Sequence, residues 1–387
     1  MNFNQKTFQS LSTSQSKSNK HLSIYIPTHR KSQVQEDKIR FKNALAEAEQ
    51  KLCDPRRTPY ESMEESEARK FLRKAYAYLE KDDFWLHLSD MLVLFMSEDQ
   101  FALHTLPIQR KPLIYVGREF YLSPLISSIN KDKNFFILSL SQGGSAFFEA
   151  GPHHITPVKV DDLIPANIAE VGVESEEKSL QFHSVEASQA IYHGQGMGKD
   201  VKEAELEKYF RQLDEGLMTM LNDEKLPMLL AGVDYLIPLY KSLSKYSYVL
   251  PDHISGNQEH THPMDLHEKA WFFASKYYQK DIEEKLSDFK ENYVADKASF
   301  SSAEIIKAAY QGKIKYLFLD REHEPLWGFY GYLSNNQIEF HMEQNAYNYC
   351  LYDFTAIQAY KKGAEVFFLD QSELPIPDSG MNAIFRY

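Results

Sequence analysis

Several things are missing from this sequence, and each absence narrows what the protein can be. No stretch approaches 18 uncharged apolar residues, so no membrane-spanning helix is expected. The segment LSTSQSKSNK at 11–20 has no apolar core of a secretory signal, and a cytoplasmic protein is expected. Only two cysteines occur, Cys53 and Cys350, nearly 300 positions apart, which excludes a disulfide framework and a cysteine-rich zinc site and leaves buried thiols as the expectation. A basic surplus is missing as well. Lys and Arg total 43 against 55 Asp and Glu, a net charge of -12, so indiscriminate binding to a nucleic-acid backbone is excluded. Recognition of RNA through a few local contacts is not.

What is present is a packed globular composition. The 387 residues are 43% hydrophobic and 13% aromatic, with 25 Phe and 24 Tyr. At roughly 150 residues per domain, two or three domains are expected.

Residues 1–20 are rich in Ser, Gln, Asn and Lys without periodicity and read as a disordered tail. A strand is expected over 21–26, ended by Pro27, then helices over 35–52 and 61–81 and a hairpin from 91–96 and 101–106. Together they suggest an α/β domain over 21–130. A second domain, 131–250, opens with a hairpin (135–140 and 145–150) whose tip is Gln142-Gly143-Gly144. It continues with a glycine-rich loop, a helix from Asp200 with Leu206, Phe210, Leu213, Leu217 and Met220 at helical spacing, a buried strand over 227–232 and a helix over 234–243. The polar, His-rich stretch 251–264 reads as a linker. The last domain, 265–387, begins with a long helix and then twice repeats helix, glycine and buried strand, at Gly312 and Gly363, which describes an α/β sandwich.

The strongest local signal for chemistry is Tyr192-His193-Gly194-Gln195-Gly196-Met197-Gly198-Lys199-Asp200. Amides at a glycine-rich helix start attract phosphate, but a Walker loop would need Gly at His193 and Ser or Thr at Asp200, and the alternating glycines do not fit a dinucleotide fingerprint. Three glycines so close imply a flexible, protruding loop; a connector without function is the plainer alternative. Thr28, His29, Arg30 and Lys31 set a polar, basic cluster just behind the first strand, where loops often hold function, although an ordinary solvated strand end has the same composition. His253, His260, His262 and His267 match no zinc-ligand spacing, and no metal is assigned. No GxSxG elbow is present, and no nucleophile, base and orienting group can be named, so neither a catalytic residue nor a cofactor is assigned.

The segments Ile24-Tyr25-Ile26-Pro27-Thr28-His29-Arg30, Phe135 to Gln142, His193-Gly194-Gln195-Gly196, Leu229-Leu230-Ala231-Gly232 and the closing Ala383-Ile384-Phe385-Arg386-Tyr387 resemble the bacterial relatives of archaeal and eukaryotic class-1 release factors and Pelota, a group that includes a ribosome hibernation factor. The resemblance implies a three-domain α/β protein. Its N-terminal domain would face the decoding centre with Thr28, His29, Arg30 and Lys31. Its RNase-H-like middle domain would aim residues His193 to Lys199 at the peptidyl-transferase centre. Its C-terminal α/β/α domain would meet a translational GTPase, elongation factor Tu in bacteria. It further implies a monomer bound to rRNA of the ribosomal A site, beside P-site tRNA. In such release factors a Gly-Gly-Gln loop before a long helix positions water against the peptidyl-tRNA ester. Gln195 and Gly194 match that motif, but His193 replaces its first glycine, so the resemblance favours a non-catalytic hibernation factor over a rescue factor that hydrolyses peptidyl-tRNA. A metal- or nucleotide-dependent hydrolase is the remaining class, and the failed motif spacings oppose it.

Overall fold

The computed structural model describes residues 5–14, 20–29, 33–56, 62–108, 110–129, 133–152, 154–160, 162–171, 197–331, 337–345 and 347–387. The chain is of the α/β type and divides into two compact units, Met1–Asn130 together with Glu283–Tyr387, and Lys131–Ile282.

The first unit begins with helix α1 (Gln5–Ser12), where the sequence suggested a disordered tail. Phe8 and Leu11, three residues apart, give this otherwise polar segment one apolar edge, and both are buried. Phe8 meets Tyr360 edge to face at 5.5 Å, and Lys361 donates to the Ser12 carbonyl over 2.9 Å. Strand β1 (His21–Pro27) follows, then helices α2 (Val34–Cys53) and α3 (Glu65–Tyr76) and strands β2 (Met91–Met96), β3 (Phe101–Leu106) and β4 (Leu113–Gly117). The sheet is antiparallel, in the order β3-β2-β1-β4, with Leu22 opposite Met96 and Pro27 opposite Met91. Its even-numbered side chains, Leu22, Ile24, Ile26, Leu92 and Leu94, pack on Phe41, Leu45, Leu52, Leu72 and Trp85. The odd-numbered set, Tyr25, Met91, Val93 and Phe95, enters a different core. Burial on both faces explains why Met91–Met96 is an unbroken apolar run instead of an alternating one.

The second unit contains β5 (Phe135–Leu140), β6 (Ala146–Gly151), β7 (His154–Pro157), α4 (Met197–Leu221), β8 (Met228–Gly232), α5 (Leu236–Leu243), β9 (Val249–Ser255) and the beginning of α6 (Pro263–Val294). Its sheet order is β7-β6-β5-β8-β9. The first three strands pair antiparallel, and β5, β8 and β9 run parallel. Counted in sequence this is a 3-2-1-4-5 mixed sheet, the RNase-H-like arrangement. Leu206, Phe210, Leu213 and Leu217 of α4 cover one face, and Leu266, Ala270, Ala274 and Tyr278 of α6 cover the other. The stretch 251–264 is therefore not a simple linker: its start completes strand β9 and its end opens α6. Pro251 and Asp252 are tolerated because β9 is an edge strand.

Back in the first unit, β10 (Ala298–Ser299), α7 (Ser302–Gln311), β11 (Ile314–Asp320), β12 (Trp327–Tyr330), β13 (Ile338–His341), β14 (Tyr349–Cys350), α8 (Leu351–Lys361), β15 (Glu365–Leu369) and β16 (Met381–Phe385) complete the chain. Gly312 ends α7 at φ 75° and Gly363 follows α8 at φ 76°, backbone conformations that an L side chain resists. The sheet β10-β16-β11-β15 carries Ile305, Ala309, Ala356 and Ile357 of α7 and α8 against Leu317, Leu319 and Val366. Lys285 of α6 lies over Tyr316 and Phe367 and pairs with Glu365 at 2.8 Å.

Residues from both ends of the chain share this core. Tyr25, Val93, Phe95 and Tyr115 pack with Ala356, Ile357 and Val366 in one cluster, and Tyr115 stacks on Trp327 at 6.1 Å. Asp353 sits within it and accepts the Leu122 and Ser123 N–H groups at 2.9 and 2.6 Å. Burial raises its pKa from 3.8 to about 7, a rise that these N–H groups oppose and the Glu119 charge adds to.

Two outcomes follow. Between pH 4 and 7 the folded protein retains a proton that the unfolded chain has released, so stability is complete at the acid end of that window and falls as pH rises through it. Urea titrations should show a decline on the order of 2–4 kcal/mol for the first unit, and Asp353→Asn, which keeps an acceptor and loses the charge, should remove it; an equal slope in the variant would contradict this. Phe8→Ala should cost about 3 kcal/mol in the same measurement if α1 is a true part of the core.

Candidate functional site

The functional residues expected from the sequence fall into two groups, and the structure describes them unequally. Residues 191–196, which include His193, Gly194, Gln195 and Gly196, lie outside the described residues, as do Arg30 and Lys31. Met197, Gly198 and Lys199 belong to the opening of α4, so the glycine-rich segment does lead directly into a long helix. Thr28 and His29 are described in full.

These two residues stand where β1 runs out. Pro27 ends the strand, and Thr28 continues the chain by donating its N–H to the Asp90 carbonyl at 2.9 Å and its hydroxyl to the Ser89 carbonyl at 2.8 Å. Thr28 is thus a buried structural fastener, not an exposed contact. His29 is different. Its backbone N–H donates to Asp37 Oδ2 at 2.9 Å, and its Nδ1 lies 3.0 Å from Asp37 Oδ1. Asp37 is 1% exposed, whereas the His29 side chain is 37% exposed. Arg40, one turn further along α2, donates to Asp37 Oδ1 at 3.2 Å, to the Pro27 carbonyl at 2.5 Å and to Glu36 Oε1 at 2.8 Å.

A buried carboxylate thus takes three donors and ties the end of β1 to the start of α2. The Arg40 charge balances it, a condition that a buried anion needs. Asp37 and Arg40 were missed in the sequence because an acid in the first turn of a helix looks like ordinary dipole complementation. The available signal was spacing: Asp37 falls on the stripe of Phe41, Ala44, Leu45, Ala48 and Leu52, which is otherwise apolar and buried.

The remaining candidates are structural. Gln142-Gly143-Gly144 forms the turn after β5, with Gln142 donating to the Tyr235 hydroxyl at 2.9 Å and the Gly143 N–H to Ser141 Oγ at 3.1 Å. His267 is buried with Nε2 2.7 Å from the Gly151 carbonyl, and His253 lies 3.7 Å from Asp234. The four histidines are not brought together, and among the described residues no group of three His, Cys, Asp or Glu side chains could hold a metal ion. Cys350 is buried and its thiol is pushed up to about 12 by desolvation, while Cys53 is half-buried; both are free. Asp214 on α4, also missed, is buried and accepts from Tyr240, Ser244 and the Lys245 N–H at 3.1, 2.7 and 2.9 Å, fastening the end of α5 to α4. No helix among the described residues is long and apolar enough to cross a membrane.

Comparison with known proteins places this geometry. Residues 135–275 match the family model of bacterial archaeo-eukaryotic release factor family 7. No curated protein matches. Among solved structures, the chain is similar to an archaeal translation termination factor, aRF1, at 12% identity over 99% of this chain and 96% of that one, with a TM-score of 0.24. It is also similar to Dom34 of S. cerevisiae, a translation termination-like factor, at 13% identity over 77% and 79% of the two chains, with a TM-score of 0.37. Pelota of Archaeoglobus fulgidus is similar at 9% identity over 76% and 79%, with a TM-score of 0.28. The matched stretch runs from β5 into α6 and spans the mixed sheet with its helices on both faces, so the similarity to that release factor family lies in the second unit.

Proposed function

We propose that this protein is a ribosome-associated translation factor that occupies the A site and shields an idle ribosome without cleaving peptidyl-tRNA. The observation that carries the reading is the family match over 135–275, which includes the helix start directly behind the glycine-rich segment. In this reading residues 21–130 face the decoding centre, and His193, Gly194, Gln195, Gly196, Met197, Gly198 and Lys199 approach the peptidyl-transferase centre and P-site tRNA. Residues 265–387 meet elongation factor Tu, and the protein acts as a cytoplasmic monomer under stress. The relative described as ribosome-bound archaeal Pelota, with ABCE1, acts in the same setting.

The sequence of the loop favours shielding over rescue in this reading. A Gly-Gly-Gln loop depends on two consecutive glycines for its backbone conformation, and His193 carries a Cβ where the first would stand. In this reading Gln195 serves as a hydrogen-bonding contact to RNA and not as the water-positioning glutamine of that motif. With a net charge of -12, affinity must come from a few directed contacts and not from bulk counterion release.

Co-sedimentation with ribosomes is the first test. Deleting Gly194 to Gly198, or replacing His29 and Arg30 by alanine, should reduce the bound fraction. A peptidyl-tRNA release assay is the second: wild type and Gln195→Ala should both remain at background. Release well above background by the wild type, abolished by Gln195→Ala, would replace shielding with rescue.

A further inference from the structure

Between β13 and β14 the usual distribution of polar and apolar side chains is inverted. The polar ones are used inside the fold. Asn348, 1% exposed, accepts the Asn345 N–H at 2.9 Å, donates from Nδ2 to the Glu343 carbonyl at 2.8 Å and lies 3.0 Å from His341 Nδ1. Asn345 Oδ1 accepts the N–H groups of Tyr347 and Asn348 at 2.8 and 3.0 Å, and Gln344 donates to the Val116 carbonyl of β4 at 2.6 Å. The apolar ones are left to water: Phe340 is 49% exposed, Tyr347 68% and Met342 98%. Folding alone gains nothing from this, because apolar surface stabilises only when it leaves water. The amides behind these side chains do fix the backbone that carries them, so the apolar groups are held in place before any partner arrives.

Phe340, Met342 and Tyr347 line one depression with Pro55, Arg56 and Glu343. Their exposed area is on the order of 400 Å², the size of a functional patch on a monomer and about half of what each side of a stable dimer buries. A second copy of this chain is therefore a poor occupant, and a charge of -12 on each molecule opposes it further. Charge also disfavours nucleic acid. Surfaces that stack bases on aromatic rings add a cationic groove for the backbone. Here Asp54 binds Arg56 at both Nε and Nη2 over 3.2 Å, and Glu343 leaves the formal charge of these three side chains negative. An apolar surface with an acidic edge fits a socket on a protein whose rim carries lysine or arginine.

We propose that Phe340, Met342 and Tyr347 form a preset docking surface for a protein component of the ribosome, one that offers an apolar socket edged by basic side chains. The inference rests on the ribosome-binding reading and deepens it by assigning a protein, not RNA, to this surface. Met342 enters the socket, the two aromatic rings flank it, and Glu343 meets the basic rim.

Cross-linking and sedimentation test the assignment together. Full-length protein with photoreactive benzoylphenylalanine in place of Met342, or of Tyr347, is bound to purified bacterial ribosomes with and without elongation factor Tu and irradiated. A cross-link to a ribosomal protein in both samples is expected. A cross-link to rRNA, to elongation factor Tu or to a second copy of the chain overturns the proposal, as does ribosome-bound protein that cross-links to nothing from either position. In co-sedimentation, Met342→Ser combined with Tyr347→Ser should lower affinity about tenfold. Glu343→Lys should lower it about threefold, with the loss fading as salt rises. Unchanged binding of the double variant overturns the proposal, and so does a gain from Glu343→Lys, which would mean a phosphate partner. Both apolar positions are exposed, so the double variant should melt with the wild type; should it fail to fold, the cross-links decide by themselves. Failure of the wild type to sediment with ribosomes would sink the parent reading and this surface with it, whereas sedimentation with a cross-link to rRNA would sink the docking surface alone.

Discussion

The N-terminal sheet is apolar on both faces, and each face has to be covered. Helices α2 and α3 take the side of Leu22, Ile24 and Leu94. Tyr25, Met91, Val93, Phe95 and Tyr115 on the other side would face water unless another part of the chain covered them, and these five large side chains represent on the order of 10 kcal/mol of burial. Helix α1, the stretch 120–126 and the C-terminal segment together supply the cover. From that requirement follow the shared core of the first unit, the docking of α1 beside Tyr360, and the insertion of the middle sheet as a separate compact unit between two halves of another.

Apolar burial alone does not fix how such surfaces meet, since it has little directionality. Three buried acids supply direction. Asp353 accepts two backbone N–H groups from Leu122 and Ser123, Asp37 takes the His29 N–H and Arg40, and Asp214 takes the Lys245 N–H with two hydroxyls. Each one joins segments that are separate in the chain or the fold, and each would leave unpaired buried donors if the joint shifted, at a cost of about 1–3 kcal/mol per group. Among the described residues Asp353 forms no ion pair and its pKa rises toward neutrality, while Asp37 is balanced by Arg40.

How much of this was legible depended on length and context. Helices over 34–53, 197–221, 263–294, 302–311 and 351–361 carry enough apolar periodicity to be read with small errors at their ends, and the glycines closing two of them mark left-handed caps. Helix α1 was hidden because its apolar edge is two residues among Ser, Gln and Thr, and partners such as Tyr360, some 350 positions away, give Phe8 a reason to be ordered. Strand β9 was hidden by Pro251 and Asp252, which are compatible with an edge position that composition does not reveal. Strand β16 carries Asn382 in a buried run, satisfied by the Ile376 backbone and Ser379, a pairing invisible before folding. At the candidate site, the strand end with Thr28 and His29 was visible. The division of labour was not, because it depends on Asp37 eight residues later and on the carbonyls of Ser89 and Asp90.

For the RNA binding proposed above, an acidic protein faces a constraint that a basic one does not. It gains little from counterion release, so its affinity rests on the number and precision of individual contacts, and precision requires that the contacting groups be held before the encounter. The end of β1 is held in place through a chain of causes. Burial of both faces fixes the sheet, Thr28 pins the strand end to the carbonyls before β2, and Asp37 holds the half-exposed His29 ring. An exposed lysine at the same place would bring charge without direction. The buried carboxylate, balanced by Arg40, gives direction without net charge.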